Sequence, residues 1–429
     1  MAASPLDASG SGDRGPGGSR VPEAAPEPER LRVLIGTDTY PPDVNGAAFF
    51  TARLARGLAE RGAEVHVLCQ SPHGPPQVAR DGGVVEHRLR SVPSLAHETL
   101  RLALPPGAAG HARRLLARLR PHAVHVQNHF IVGRLLISAA RRNGIPVVAT
   151  NHFMPENLFH HLRVPASLRP GIGRAAWRDF VRVLAAADHI TTPTRIAAQL
   201  LLDQGFDRPV EAVSCGIDVR RFRPPADPAA ERPRVRARFG LPDRPTIAFV
   251  GRLDEEKRVE ELIGALPRLG PGDAQLVLAG AGARRPLLER LAAGCGVADR
   301  VHFLGLVPGG DLPLVYRAAD AFAIAGTAEL QSIATLEAMA SGLPVVAADA
   351  MALPHLVHTG RNGYLYPPGD VGALAKYLTE ILVSPGERAR MGEASRAIAV
   401  RHDERASLAR FERIYRDVAR VRGRGLADG

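Results

Sequence analysis

The 429-residue sequence has few cysteines and no long apolar run, and both absences restrict what it can be. No segment reaches the roughly 18 apolar residues that a membrane-spanning helix requires. Cys69, Cys215 and Cys295 are odd in number and far apart in the chain. This usage indicates a reducing cytoplasm and offers no metal-ligand spacing. The chain also lacks an Asp-x-Asp pair and a His/Cys cluster, so no metal site is predicted.

Lysine is almost absent, because Lys257 and Lys376 are the only lysines among 55 Lys and Arg residues. The net charge of +11 therefore reflects a chain-wide preference for arginine, and no nucleic-acid partner is predicted from it. A lysine retained in such a chain suggests that a compact ammonium is required at that position. We expect Lys257 to face the solvent of a binding cleft; retention by chance is the alternative.

The pattern of the chain predicts two domains and a tail. Residues 1–30 are rich in Gly, Pro, Ala, Ser and Glu, which is typical of a disordered tail and not of a secretory signal. From residue 31 onward, strand-like runs alternate with helical patterns, as in parallel α/β layers. The predicted units are a first Rossmann-like domain over 31–217, a linker over 218–243, a second Rossmann-like domain over 244–405, and a C-terminal helix and tail over 406–429 that cross back to the first domain.

The fold class is α/β, with two doubly wound parallel sheets facing each other across a cleft, where ligands of such folds bind. The strands of the first sheet are predicted at “LRVLIG”, “EVHVLC”, “AVHVQ”, “PVVAT” and “HITTP”, and those of the second at “TIAFVGRL”, “AQLVLAGAG”, “RVHFLG”, “AFAIAG” and “PVVAA”. No Gly-x-Gly-x-x-Gly follows the first strand of either series, which disfavours a dinucleotide-dependent dehydrogenase.

The stretch “AGTAELQSIATLEAMASGLPVVAAD” places two carboxylates among small and apolar residues. Apolar positions recur at i, i+3 and i+7 from Ile333, which predicts a helix that Ser332 caps and Gly342 ends. Glu329 then precedes the helix, and Glu337 lies within it. Two acids around a helix N-terminus form a ligand cradle at the mouth of an α/β sheet. The alternative is that both are solvated helix residues.

Three further stretches place chemical groups at strand or helix ends. “PPDVNGAA” puts Gly46 at the start of the first helix, where the missing side chain lets backbone N–H groups approach an anion. “GRLDEEKRVEELI” puts Arg252 after the first strand of the second series and Lys257 five residues later, and two such cations suit a diphosphate. “VVATNHFMPENLF” puts His152 just beyond the end of a strand.

Together these four stretches resemble the retaining glycosyltransferases of GT-B architecture, family 4. The resemblance runs from Leu31 to about Ala419. Its most specific part is Glu-x7-Glu followed by “AMASGLPVVA”, and “GRNGYLYPPGD” supports it. The resemblance implies an enzyme of the hexosyltransferase class (EC 2.4.1), with mannose or glucose as the transferred sugar.

The resemblance also implies roles for individual residues in holding a nucleotide-sugar donor, either a UDP-hexose or GDP-mannose. Donor binding would involve Gly46, Arg252, Lys257, Glu329, Ser332, Ile333 and Glu337. Arg252 and Lys257 would bind the phosphates, Glu337 the ribose hydroxyls, and Glu329 the donor sugar. The residues implied in catalysis are Glu329, His152, Arg252 and Lys257. No cofactor beyond the donor substrate is implied.

This sequence departs from the family pattern near the donor sugar. Gln331 and Ser332 stand where the family often has Phe-Gly, and His355 stands where it often has Glu. The resemblance therefore specifies the phosphate contacts more closely than the sugar contacts. It implies front-face attack by the acceptor hydroxyl with the diphosphate as base, so no protein nucleophile is assigned. The alternatives are a GT-B epimerase or phosphorylase, or a non-catalytic binding protein.

Two helical segments, “HARRLLARLR” and “GRAAWRDFVRVL”, pair an apolar stripe with a row of arginines. The stripes are Ala112, Leu115, Leu116, Leu119, Trp177, Phe180, Val181 and Leu184. The outward-facing arginines are Arg113, Arg114, Arg118, Arg120, Arg174, Arg178 and Arg182. Such rows can attract an anionic membrane surface, whereas an arginine-rich chain also places arginine on every solvated helix face.

The loop between these segments carries Phe153, Met154, Leu158 and Phe159, against which an acyl or polyprenyl chain can rest. We therefore expect a lipid-linked or polyprenol acceptor, and a cytoplasmic protein in peripheral contact with the inner face of the plasma membrane. A soluble sugar or other small acceptor is the alternative. The sequence gives no indication of an oligomeric state.

Overall fold

A computed structural model of the protein describes residues 30–94, 101–154 and 167–423. The tail predicted over residues 1–30 lies outside the described residues except for Arg30. Leu158 and Phe159 of the predicted lipid-binding loop also lie outside them. Among the residues that are described, no helix combines the length and the apolar character that crossing a membrane requires.

The first sheet has eight strands in the order β10-β9-β8-β7-β1-β2-β4-β3. All neighbours are parallel except β3 and β4. The strands are β1 Arg32–Gly36, β2 Glu64–Gln70, β3 Gln77–Asp81, β4 Val84–Leu89, β7 Ala123–Val126, β8 Val147–Thr150, β9 His189–Thr192 and β10 Val210–Ala212. A separate hairpin pairs β5 Ser91–Pro93 with β6 Arg101–Ala103.

The second sheet has six parallel strands in the order β13-β12-β11-β14-β15-β16. The strands are β11 Thr246–Val250, β12 Gln275–Ala279, β13 Val301–Gly305, β14 Ala321–Ile324, β15 Val345–Ala348 and β16 Gly363–Tyr366. All ten strands predicted from apolar runs are present. Val33, Leu34 and Ile35 show why such runs are apolar throughout, because consecutive residues are buried on both faces of the sheet.

Helices connect the strands and cover both sheets. They are α1 Gly46–Glu60, α2 Pro105–Leu119, α3 Ile131–Arg142, α4 Arg169–Leu184, α5 Arg195–Asp203, α6 Pro228–Arg238, α7 Val259–Ala265, α8 Arg285–Gly294, α9 Leu312–Ala318, α10 Ile333–Ala340, α11 Leu353–Leu356, α12 Val371–Val383, α13 Pro385–Ala399 and α14 Glu404–Val421. A short 3-10 turn spans Glu255–Lys257.

The segment predicted as a linker, residues 218–243, contains helix α6. Asp227 starts this helix, because its carboxylate accepts hydrogen bonds from the backbone N–H groups of Ala229 and Ala230. Pro228 occupies the first helical position, where a missing N–H costs nothing. The N-cap Asp227 and Pro228 therefore favour a helix in a segment whose Pro-rich composition had predicted an irregular linker.

Helix α14, at the end of the described chain, packs against the first sheet. Phe411, Ile414 and Tyr415 are buried in the same hydrophobic cluster as Val33 of β1. The Tyr415 hydroxyl lies 2.7 Å from Nδ1 of His125 in β7. Helix α14 thus brings the chain back from the second sheet to the core of the first.

Each sheet has a point where the strand order reverses. In the first sheet β1 lies between β2 and β7, and in the second β11 lies between β12 and β14. Ligands of open α/β sheets bind beyond the carboxyl ends of the strands at these reversals. The segments that follow β1, β11 and β14 carry Gly46, Arg252 and Glu329 respectively. The topology therefore gathers residues that are far apart in sequence.

Candidate active site

Arg252, Lys257 and Glu329 meet beyond the carboxyl ends of β11 and β14. Lys257 Nζ lies 2.6 Å from Oε1 of Glu329 and 3.5 Å from Oε1 of Glu256. Arg252 Nη2 donates to the same Glu256 oxygen at 2.6 Å, and its Nη1 donates to Oδ2 of Asp254 at 2.5 Å. Two cations and three carboxylates thus form one connected network at the reversal of the second sheet.

Lys257 is more enclosed than the sequence suggested. Its side chain is 19% exposed, so the expectation of a solvent-facing lysine is wrong. Burial acts to lower the Lys257 pKa, but the carboxylates of Glu329 and Glu256 outweigh burial and raise the pKa above its ordinary value. The ammonium therefore stays charged at neutral pH, which a phosphate-binding role requires.

Helix α10 begins where the sequence predicts, but Ser332 does not cap it through its side chain. Ser332 has a left-handed backbone, with φ at 63°, and its Oγ lies 2.8 Å from Oγ1 of Thr335. Among the described residues, no side-chain hydrogen bond from the N-cap position caps this N-terminus. The first backbone N–H groups of a helix have no partner within it, so an uncapped start favours an anion. Ile333 is the first residue of this helix.

Glu337 lies inside α10 and is 8% exposed. The hydroxyl of Tyr316 donates to its Oε2 at 2.8 Å. Burial raises the pKa of Glu337, while the charge of Arg53 and the bond from Tyr316 act to lower it. Glu329 has a side-chain exposure of 12% and forms the ion pair with Lys257. Neither acid is therefore a solvated helix residue.

Gly46 faces helix α10 from the first domain. Asn45 caps helix α1 by accepting from the backbone N–H of Ala48 at 2.9 Å, which fixes Gly46 as the first helical residue. A Cβ atom on Gly46 would lie 3.9 Å from Cδ1 of Ile333. The start of α1 and the start of α10 are thus in close approach, and both present helix N-termini to the same space.

His152 lies just beyond β8, in a pocket of neutral groups. Its Nε2 is 2.8 Å from Oε1 of Gln127, which can only accept, so Nε2 carries the proton. Its Nδ1 is 4.0 Å from the Sγ atom of Cys215, and the Phe50 ring is 4.9 Å away. Burial lowers the His152 pKa to about 4. The imidazole is therefore neutral at physiological pH.

Sequence reasoning missed three residues of this site. Glu256 joins the two cations, and its place next to Lys257 in “DEEK” was a usable signal. Gln127 orients His152, and it follows β7 at the reversal of the first sheet, where polar residues are informative. Tyr316 supports Glu337 from helix α9, and nothing in the local sequence marks it.

Within the described ranges, no three His, Cys, Asp or Glu side chains gather closely enough to hold a metal ion.

Comparisons with known proteins decide the family. The protein-family model described as Glycosyltransferase Family 4 matches residues 44–221 of the sequence. The family model described as Glycosyl transferases group 1 matches residues 231–398. A D-inositol 3-phosphate glycosyltransferase of Salinispora tropica is 32% identical over 90% of this chain and 82% of its own length. The chain belongs to this glycosyltransferase family. It is accordingly a hexosyltransferase that takes its sugar from a nucleotide sugar.

Other relatives of this glycosyltransferase differ in their named substrates. A GDP-mannose-dependent alpha-mannosyltransferase of Mycobacterium tuberculosis is 31% identical over 79% of this chain and 85% of its own length. An alpha-monoglucosyldiacylglycerol synthase of Streptococcus pneumoniae is 28% identical over 78% of this chain and 75% of its own length.

Solved structures confirm the GT-B fold. Sucrose-phosphate synthase from Thermosynechococcus elongatus superposes with a TM-score of 0.78 at 22% identity, over 91% of this chain and 99% of that chain. Anabaena Alr3699/HepE in complex with UDP-glucose gives a TM-score of 0.72 at 18% identity, over 90% and 100% respectively. At these identities the similarity is evidence for the fold alone.

Proposed function

We propose that this glycosyltransferase is retaining and independent of metal and cofactor, and that it moves glucose or mannose from a UDP-hexose or GDP-mannose to a lipid-linked acceptor hydroxyl. The observation that carries the proposal is the network of Arg252, Glu256, Lys257 and Glu329, which lies beside the uncapped start of α10. The network holds two cations in fixed positions, and the start of α10 offers backbone N–H groups, where a diphosphate would depart.

The transfer breaks the bond between the sugar C1 and the diphosphate oxygen. The acceptor oxygen forms a new bond to C1 on the same face, and its proton passes to the departing diphosphate. Lys257, Arg252 and the start of α10 stabilise the negative charge on the diphosphate. Removing one such donor costs about 3 to 4 kcal/mol of barrier, roughly a hundredfold or more in rate.

His152 suits the sugar side of this reaction because it is neutral. Positive charge develops on the sugar ring as the bond to the diphosphate lengthens. A charged imidazole beside the ring would oppose that change, whereas the buried neutral ring of His152 does not. Glu329, paired with Lys257, supplies a carboxylate that can accept from a donor-sugar hydroxyl.

The donor and acceptor classes rest on relatives and on the surface of the first domain. The name of the Mycobacterium relative supports GDP-mannose as the donor, and the name of the Streptococcus relative supports glucose as the transferred sugar. The name of the Streptococcus relative supports a diacylglycerol-type acceptor. Along α2 and α4 the arginines are exposed, and Trp177 and Phe180 are buried. Leu168 and Ile172, at the start of α4, are 55% and 42% exposed.

Product analysis tests the transfer itself. The purified protein is incubated in EDTA with a panel of labelled UDP- and GDP-sugars and with diacylglycerol, polyprenyl phosphate or soluble inositol phosphate as acceptor. We expect one donor to release its nucleotide and to give a lipid product with the anomeric configuration of the donor. An inverted product, a requirement for a divalent cation, or an isomerised donor with no acceptor modified would each contradict the proposal.

Vesicle co-sedimentation tests the peripheral contact with the inner face of the plasma membrane. Binding should require phosphatidylglycerol, fail with phosphatidylcholine, and weaken between low and physiological ionic strength. The double change Arg113→Glu with Arg114→Glu on α2 should abolish binding. The matched double change Arg401→Glu with Arg405→Glu, at two exposed arginines in or next to α14, should leave it intact. Failure of the wild type to sediment at low ionic strength rules out the contact.

A further inference from the structure

Gln331 stands at one of the positions where this sequence departs from the family pattern, and the structure gives its side chain two partners. Gln331 Oε1 accepts a hydrogen bond from the backbone N–H of Cys215 at 2.8 Å. Its Nε2 donates to Oγ of Ser214 at 2.7 Å. The residue is 4% exposed. We call Gln331, Ser214 and Cys215 the Gln331 bridge.

The Gln331 bridge joins segments that belong to different sheets. Gln331 lies between β14 and α10 of the second domain, whereas Ser214 and Cys215 follow β10 of the first. His402 Nδ1, just before α14, lies 3.0 Å from the same Ser214 hydroxyl. The Gln331 amide therefore connects the loop between β14 and α10 with the segment through which the chain leaves the first domain.

The loop around Gln331 is attached to the first domain at a second point. Leu330 is 8% exposed and packs into a hydrophobic cluster of the first domain that includes Leu34 and Val126. The hydroxyl of Thr194 donates to the carbonyl of Leu330 at 2.8 Å. Since Glu329 directly precedes Leu330, these contacts set the position of the Glu329 carboxylate relative to the first domain.

The other end of the Gln331 bridge reaches His152. Cys215, whose backbone N–H donates to Gln331, also places its Sγ atom 4.0 Å from Nδ1 of His152. Burial raises the pKa of the Cys215 thiol to about 12, so it stays protonated and acts here as a packing group. Gln331 thus lies between the two groups expected at the donor sugar, Glu329 on one side and His152 on the other.

We propose that Gln331 is a positioning residue, which holds the Glu329 loop and the Cys215 segment behind His152 in one fixed relative position. An amide serves both partners at once, because its oxygen accepts from the Cys215 backbone N–H while its nitrogen donates to the Ser214 hydroxyl. The inference rests on the proposed placement of Glu329 and His152 beside the donor sugar. Both ends of the Gln331 amide have protein partners, so we assign it no direct contact with the sugar or the phosphates.

The test compares the kcat and the nucleotide affinity of Gln331→Met with those of Gln275→Met. The second variant removes the hydrogen bonds of another buried glutamine. Gln275 is 0% exposed, and its Nε2 donates to the carbonyl of Pro242 and to Oγ1 of Thr246, away from the site. Gln331→Met should lower kcat about tenfold or more, the loss that misplacing catalytic groups produces. Its affinity for UDP or GDP should stay within about twofold of wild type, because the phosphate contacts remain. Gln275→Met should keep its kcat within about twofold under the same conditions.

Two further variants separate positioning from misfolding. Gln331→Glu keeps an acceptor for Cys215 but replaces the donor to Ser214 by an acceptor, to which the Ser214 hydroxyl must turn and donate, so its kcat should lie between those of wild type and Gln331→Met. Adding Ser214→Ala to Gln331→Met should lower kcat little further, because both changes break the same connection. Additive losses, an equal loss of kcat and nucleotide affinity, or an equal loss of kcat in Gln275→Met would each overturn the proposal.

Hydrogen exchange gives a readout that does not need turnover. In Gln331→Met, backbone amides in 213–217 and 329–332 should exchange faster than in wild type, while those of β12 should not change. If no donor is turned over by the wild type, the proposed function fails, yet faster exchange confined to these segments still supports the positioning role. Unchanged exchange in both segments overturns it.

Discussion

Each domain contributes one wall of the candidate site, and the two walls differ in electrostatic character. The first wall, Gln127 and His152, is neutral, and its histidine is kept uncharged by burial. The second wall, Arg252, Glu256, Lys257 and Glu329, is a network of ion pairs. A negatively charged diphosphate suits the second wall and an uncharged sugar suits the first. We therefore propose that the two parts of a sugar nucleotide are recognised by different physical means, one in each domain.

Removing charge from the second wall should have the largest effect. Lys257→Ala should lower kcat/KM roughly a hundredfold or more, because the departing diphosphate loses a fixed cation. Lys257→Arg should also be poor, since a planar guanidinium does not reproduce a compact ammonium. Lys257→Ala should also lower the free energy of unfolding by about 1.5 to 3 kcal/mol, because Glu329 loses a charged hydrogen-bond partner.

The other lysine of the chain provides the matched control. Lys376 is 68% exposed, and its Nζ lies 3.9 Å from Glu380. Lys376→Ala should leave both turnover and thermal stability close to wild type, because exposed ion pairs contribute little. Steady-state kinetics and thermal unfolding of both variants measure the difference. Wild-type turnover in Lys257→Arg would remove the reason for a lysine in the second wall.

The two acids of the second domain should separate in kinetics. Glu337→Gln should raise the donor KM about tenfold with little change in kcat, because ribose binding is made equally in the ground and transition states. Glu329→Gln should mainly lower kcat, because it alters the contact with the donor sugar and the Lys257 ion pair. Initial rates over a range of donor concentrations distinguish these patterns. Small and equal effects in both variants would contradict the separate donor-binding roles of the two acids.

Acid should destabilise the first domain through its buried histidines. Burial lowers the pKa of His129 to about 4, and Arg134 adds to this while Asp179 opposes it. In the unfolded chain the pKa is about 6.5, so between these values the unfolded state binds more protons. Stability should therefore fall as the pH falls from about 6.5 towards 4. His87 and His152, also with pKa values lowered to about 4, should contribute in the same direction.

A single replacement identifies the contribution of His129. Within the part of the chain that the structure describes, its Nδ1 is buried without a hydrogen-bond partner among the rings of Phe130, Phe153 and Phe180, so leucine fits this environment. In His129→Leu the loss of Tm on acidification should be smaller than in wild type. His355→Ala, at an exposed position, should follow the wild-type profile. Identical profiles for all three proteins would contradict the assignment.

The smallest effect is expected at Ser332. Replacing it by glycine relieves a left-handed backbone, which costs a side-chain-bearing residue about 1 to 2 kcal/mol. The change also removes the contact with Thr335 and increases the entropy of the unfolded chain, and these effects oppose the gain. We expect the free energy of unfolding to change by less than about 1 kcal/mol, with donor binding unchanged. A large loss of donor affinity in chemical-denaturation and binding measurements would mean that the Ser332 side chain binds the donor directly.

The sequence predicted the strands with apolar runs and missed those of mixed sequence, among them the largely buried β4, Val84–Leu89. Runs such as “LRVLIG” mark strands that are covered on both faces, and all ten of these predictions are confirmed. The edge strand β3, Gln77–Asp81, is largely exposed and has a mixed polar sequence, so no apolar run identifies it. Helix α6 was missed because local capping by Asp227 outweighed a composition typical of loops.

For the site, the sequence predicted residues that end strands or begin helices. The structure brings Arg252, Lys257 and Glu329 into one network and places Gly46 next to Ile333. Their partners were not predictable in the same way. Tyr316 and Gln127 reach Glu337 and His152 from other elements, and such contacts depend on side-chain packing that no local pattern encodes. The assignment of donor and catalytic roles to these residues stays a prediction.

Titration calorimetry with nucleotides tests the division between the two walls most directly. UDP, GDP and the corresponding nucleosides are titrated in EDTA into wild type and into Lys257→Ala. We expect wild type to bind one diphosphate at least about tenfold more tightly than its nucleoside, as expected for charge-assisted phosphate contacts, and Lys257→Ala to lose most of that difference while binding the nucleoside equally well. Equal affinity of wild type for nucleoside and diphosphate, or diphosphate binding that appears only with an added divalent cation, would contradict a second wall that holds the diphosphate with its own cations.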